Sequence, residues 1–271
     1  MAGQIIILPG VTAASGASTP RIDMTAADRI AAKMPGLKHV VSARSLTALP
    51  TGGVSGRCRS TGRELIPKGV TNALRITEID GKKALGLTAV LAAGLALPPG
   101  SKSASYTTVC AVSIGQADID SVTSSTSPML ISGSSSDDVM NLNVLQYFGA
   151  AGTPPNIFTA RGSTASSPFA QAVRPSGTWS IVIVDYNNDT KTVSLSVNQA
   201  DTFATSVKSV AHTPGANDYI EIGNHSNSTS SLRVSSVGDL FTFNASLRGT
   251  ALGLQQLKEL VAALKAEYSI A

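Results

Sequence analysis

The stretch "TWSIVIVDYNNDTKTVSLSVN", residues 178–198, leaves a chain few ways to fold. Trp179, Ile181 and Ile183 stand on alternate positions, polar residues turn the chain at "YNND", and Val193, Leu195 and Val197 return with the same period. A period of two puts each set of side chains on one face of a strand, so the segment reads as a β-hairpin. Trp179, at the start of an alternating strand, is expected in the core and not as a sugar-stacking platform.

Strand patterns continue on both sides. "NALRITEIDGKKALGL" gives a strand, an Asp80-Gly81 turn and a second strand, and Asp-Gly between apolar runs is a strong short-range hairpin signal. "YTTVCAVSIG" alternates Tyr106, Thr108, Cys110, Val112 and Ile114, and "PMLISGS", "MNLNVLQYFG", "PNIFTARG", "YIEIGN" and "SVGDLFTFNASL" add further strands. Repeats of fixed period are lacking, which removes solenoids and propellers. Two helices punctuate the pattern. "TAADRIAAKMPG" offers Thr25 as N-cap, Asp28 three residues on and a Pro35-Gly36 stop. "LGLQQLKELVAALKAEYSI" repeats Leu257, Leu260, Val261, Leu264 and Tyr268 at helical spacing, one apolar face that must dock on a sheet. Residues 37–69 read as irregular strands and loops.

Hydrophobic residues make up 42% of the 271 and charged residues 14%, against roughly 25% charged in an ordinary domain. The polar surface is therefore built from Ser, Thr, Asn and Gly, which suits a permanent assembly. A net charge of +4 without basic clusters argues against nucleic acid. The opening "MAGQIIILPG" lacks a basic region ahead of its short apolar run, and "ALGLTAVLAAGLALPPG" falls short of the ~20 residues that span a bilayer. The expectation is a protein made in a cytoplasm and not inserted in a membrane, whose sequons at Asn188, Asn224, Asn227 and Asn244 are coincidental. Residues 5–8, "IIIL", cannot bury themselves and are expected to lie as an arm against another chain.

Chemistry-bearing patterns are few. Cys58 and Cys110 read as two reduced thiols, with a single disulfide as the alternative. Glu78 and Asp80 sit in the hairpin "TEIDG" and read as turn residues. Asp185, Asn187 and Asp189 alternate in "DYNNDTK", but the glycine and glutamate of a calcium loop are missing, so a turn is preferred. His39, His212 and His225 share no spacing with acids that suggests a metal site or a triad, and a G-x-S-x-G elbow does not occur. The loop "GNHSNSTSS" could present Asn224, His225 and Asn227 to a glycan, or be a solvated turn. No catalytic, cofactor or metal residue is assigned.

The order "IDGKKALGLTA", "SYTTVCAVSI", "GTWSIVIVDYNNDTKTVSLSVNQ", "DYIEIGNHS", "SSVGDLFTFNASL" and "LQQLKELVAALKAEYSI" resembles the concanavalin A-like lectin/glucanase superfamily, in the laminin-G-like form of many bacteriophage virion proteins. It covers roughly residues 75–270. Gln199 stands where that form has the glycine of "vNG", and Asn224 where it has the second glycine of "iGg". The glucanase pattern of paired glutamates on one strand face has no counterpart here. The resemblance implies an all-β fold: a two-sheet antiparallel jelly-roll sandwich with an N-terminal arm and short helix over 1–36. The jelly roll spans 37–271, its core about 75–248, with a closing helix at 250–268. It further implies a non-enzymatic virion structural protein of the tail, baseplate or fibre, a homo-oligomer with a trimer favoured, whose partners are other virion proteins and a host-surface glycan. A capsid-decorating protein and a soluble glycan-binding lectin are the alternatives, and a divergent glycoside hydrolase ranks third.

Overall fold

The computed structural model describes residues 24–121, 127–135, 138–150, 153–161, 169–209 and 211–271. The N-terminal arm, residues 5–8 included, lies outside the described residues. In chain order the strands are β1 (Leu37–Ser42), β2 (Thr47–Ala48), β3 (Val54–Ser55), β4 (Ile66–Gly69), β5 (Leu74–Ile79), β6 (Lys82–Leu87), β7 (Ala93–Ala96), β8 (Tyr106–Ser113) and β9 (Met129–Ser135). There follow β10 (Asp138–Ala150), β11 (Thr153–Ala160), β12 (Ala170–Val173), β13 (Trp179–Asn187), β14 (Thr192–Val197), β15 (Ala204–Val207), β16 (Tyr219–Asn224) and β17 (Ser236–Phe243). The α-helices are α1 (Ala26–Ala31), α2 (Gln116–Ser121) and α3 (Ala251–Glu267).

Two antiparallel sheets make the sandwich. The first runs β15-β14-β13-β8-β17-β6-β5, with β1 also paired to β17; the second runs β12-β11-β10-β9-β16-β7-β4. Strand β17 has β8 on one flank and divides the other, Val237 pairing with β6 and residues 239–243 with β1. Two strands before residue 75 thus join the sheets, β1 in the first and β4 in the second, where the sequence suggests irregular strands and loops. Their pairing partners lie far along the chain, so neither carries a local hairpin signal.

Alternation along β13 divides the interior in two. Val182, Val184 and Tyr186 face the second sheet, among Cys110, Leu145, Tyr147 and Phe158. Trp179, Ile181 and Ile183 face the other way, onto α1 and α3, with Phe241, Phe243, Leu257, Leu260 and Leu264. The first sheet is therefore buried on both faces, which is why "WSIVIV" is apolar without a break. The architecture is helix layer, sheet, sheet.

Local signals operate as the residues dictate. The Thr25 side chain accepts from the Asp28 N–H while Asp28 accepts from the Thr25 N–H, a complete capping box. Asp80 and Gly81 both adopt positive φ, 49° and 73°, the geometry of a two-residue hairpin turn. The β13–β14 turn falls at residues 188–191, later than "YNND", because Tyr186 belongs to the core and keeps the strand extended through Asn187. Asn198 itself takes a positive φ of 58°, and its side chain accepts the Ile181 N–H at 2.7 Å. Cys58 and Cys110 are both buried and free. Among the described residues no helix is long and apolar enough to cross a membrane.

Candidate functional site

The acids read from the sequence are scattered and structural. Glu78 and Asp80 are exposed at the β5–β6 turn, Glu78 directly across from Lys83. Asp185 is buried and accepts from Thr107 Oγ1 at 2.7 Å, Ser246 Oγ at 2.7 Å and the Arg248 N–H at 3.2 Å, so it fixes the turn that leads into α3. Asn187 accepts from the N–H groups of Asp189 and Thr190, which spends its carbonyl on the turn. Among the described residues no group of three or more His, Cys, Asp and Glu side chains is placed to hold a metal ion. The turn reading of "DYNNDTK" stands on this geometry.

The histidines separate into three environments. His39 Nδ1 lies 3.3 Å from Cys58 Sγ, with Ser60 Oγ 3.2 Å from the same sulfur. Burial alone would push the Cys58 thiol up, but hydrogen bonds from His39, Ser60 and Thr61 outweigh it and bring it to about 6. Cys110, with only burial acting on it, is pushed far up. His212 is buried at one end of the sandwich. His225 lies on the second sheet.

There the structure assembles what the sequence did not disclose. Ile220 and Ile222 of β16 point into the core, so Tyr219, Glu221 and Gly223 face outward. Glu221 Oε2 pairs with His225 Nδ1 at 2.7 Å and Oε1 accepts the His225 N–H at 2.7 Å. Burial raises the Glu221 carboxyl, and His225 and then Lys68 pull it back. Register places Gly94 of β7 beside Gly223 and Lys68 of β4 beside Gly94. A side chain at Gly94 would occupy the space of the Glu221 carboxylate, so the glycine is what lets an acid lie flat on the sheet. Lys68 Nζ sits 5.1 Å from the centre of the half-buried Tyr219 ring. Farther across the same side of the sheet, Ser132, Gln146 and Thr159 are polar but buried, each donating to a backbone carbonyl, and none of them belongs to either apolar cluster. The loop beyond is spent on itself: Asn224 accepts from Ser226 N–H, and Asn227 from Thr229 N–H and Oγ1. Of the three loop residues in the glycan reading, only His225 reaches the cluster.

A concavity of about 450 Å³ opens between the β5–β6 turn and the end of α3, lined by Arg44, Lys82, Lys83, Glu267 and Tyr268. Its floor is a fastening: Arg44 bridges Asp239 at 3.0 Å and Glu267 at 2.6 Å, and Tyr268 OH donates to Asp239 at 3.0 Å.

No family model matches the sequence, and no curated protein sequence matches it. The fold does have solved counterparts. Domain 4 of AbnA, an extracellular GH43 arabinanase from Geobacillus stearothermophilus solved with arabinotriose, superimposes with a TM-score of 0.56 at 16% identity, over 83% of this chain and 98% of that domain. Trypanosoma rangeli sialidase, solved with sialic acid, gives 0.54 at 13% identity, over 86% of this chain and 33% of the sialidase. At such identities the likeness establishes the fold. The class is an antiparallel jelly-roll β-sandwich closed by a C-terminal helix.

Proposed function

We propose that this chain is a non-catalytic glycan-binding module whose outer second-sheet face, centred on Tyr219, Glu221, His225 and Lys68, takes a saccharide. The observation that carries this reading is the asymmetry of the sandwich. One sheet is sealed by helices, while the other carries on its outer side the half-buried Tyr219, His225 and Lys68 around the buried Glu221 carboxylate. A sugar ring presents C–H groups to an aromatic face and hydroxyls to fixed donors and acceptors, and rigid sheet residues supply these with little ordering cost. The arabinanase domain of similar fold was solved with arabinotriose, which supports the class of ligand.

Binding without turnover is favoured by the chemistry of the face. Glycoside hydrolysis needs two carboxyl groups across the bond, one protonated and one ionised. Glu221 is flanked by His225 and Lys68, and the buried Asp118 and Asp185 are committed to the backbone and side chains of neighbouring turns. The order of sequence motifs resembles that of laminin-G-like phage virion domains, which supports a role on a virion for a protein made in the host cytoplasm. There it would assemble as a homo-oligomer through the N-terminal arm and attach to host-surface glycans.

A glycan array probed with the purified chain tests this. Binding to a defined saccharide class that is lost in Tyr219→Ala, with no hydrolysis of the bound glycan, is the expected result. An empty array, or turnover abolished by Glu221→Gln, would contradict it.

A further inference from the structure

A different set of residues lies at the end of the sandwich where β8 begins, β13 and β11 end and the β13–β14 turn sits. Asn188 Oδ1, in the β13–β14 turn, accepts the His212 N–H at 2.7 Å, and the Lys191 carbonyl accepts the Lys208 N–H at 2.8 Å, which holds both segments against one turn. Lys102 reaches inward until its Nζ lies where a side chain at Gly133 would otherwise stand. Arg161 closes β11: its carbonyl accepts from Tyr106 OH at 3.4 Å and its guanidinium stacks 5.3 Å from the Phe169 ring centre. Lys102, Lys208 and His212 are each 2–3% exposed.

Buried basic groups in such number call for anionic compensation. Lys102 and Lys208 have interactions of their own. Arg161 Nε and both ring nitrogens of His212, however, are buried without a hydrogen-bond partner among the described residues. The basic groups also oppose one another. Burial and then Arg161 lower Lys208 to about 8, and burial and then Lys102 lower His212 to about 4, with Asp218 acting the other way. A site of this kind stabilises negative charge that is brought to it.

We propose that this end of the sandwich binds an oxyanion, the carboxylate or sulfate group of an acidic ligand, through Arg161 Nε and an N–H of His212 in the field of Lys102 and Lys208. The site is separate from the outer face of Glu221, so either can fail without the other.

The His212 ring nitrogens of the full chain, followed by NMR, report on the site directly. Sodium sulfate, glucuronate and glucuronate methyl ester are titrated at constant ionic strength set with chloride. Saturable shifts of the ring signals with sulfate, with glucuronate or with both, and none with the ester, are expected. Sulfate alone would identify a small inorganic or sulfate-ester group, and glucuronate a sugar acid. Arg161→Met should weaken binding about tenfold, the loss of one charge-assisted hydrogen bond, while Lys258→Met, on α3 where Lys258 pairs with Asp201, leaves it unchanged. If Arg161→Met does not fold, Arg161→Lys, which keeps the charge and loses the fork, should weaken binding in the same direction. Lack of a saturable shift with either anion, or saturation unaltered by the Arg161 substitutions, overturns the proposal.

Discussion

At Trp179 the indole packs 4.7 Å, centre to centre, from the Tyr268 ring and is 4% exposed, so its area contributes to the seam between β13 and α3. Trp179→Ala should cost about 3–5 kcal/mol as a core truncation, read as a large fall in melting temperature. An unchanged melt would remove the residue from the core. Cys58 offers a prediction of another kind. Its folded-state value of about 6 lies below the ordinary thiol value of 9.0, so the thiolate's contribution to stability is complete above 9 and is lost as pH falls through 6. The ultraviolet absorbance of the thiolate should titrate near pH 6 and vanish in Cys58→Ser. Denaturant midpoints of the wild type, and not of that variant, should fall across the same window. The cysteine itself was legible in the sequence, but its environment was not, because His39 approaches from β1, nineteen residues away along the chain.

Among the elements, those whose signals are local were the readable ones. Thr25 with Asp28, Asp80 with Gly81, and the five apolar positions of α3 each sit within a few turns of the residues they engage. Strand β16 shows the limit. "YIEIGN" announces a strand, yet Glu221 looks like an ordinary outward acid until β7 supplies Gly94 and β4 supplies Lys68, more than a hundred residues earlier. Gly94→Ala tests that assembly: the added methyl must displace the Glu221 carboxylate, costing about 1–3 kcal/mol of overpacking and loosening the His225 pair. Gly81→Ala, at φ 73°, should cost about 1 kcal/mol through backbone strain alone and leave ligand binding intact. Equilibrium unfolding of the two variants, compared with their glycan binding, separates the site from the hairpin.

For the whole molecule, the division of labour follows from which sheet the helices cover. Helices α1 and α3 consume the outer face of the first sheet, and Arg44, Asp239, Glu267 and Tyr268 fasten that layer in place, so the proposed saccharide site falls on the second sheet. The strands and the closing helix could be read from alternation and spacing and the two-sheet sandwich from the resemblance in motif order, while the position of the proposed site depends on pairings that close across the whole chain. The most direct test is a chemical-shift footprint of the saccharide selected on the array. Perturbations should concentrate on Lys68, Tyr219, Glu221 and His225. A footprint confined to the far end of the sandwich or to the helix layer would contradict the account.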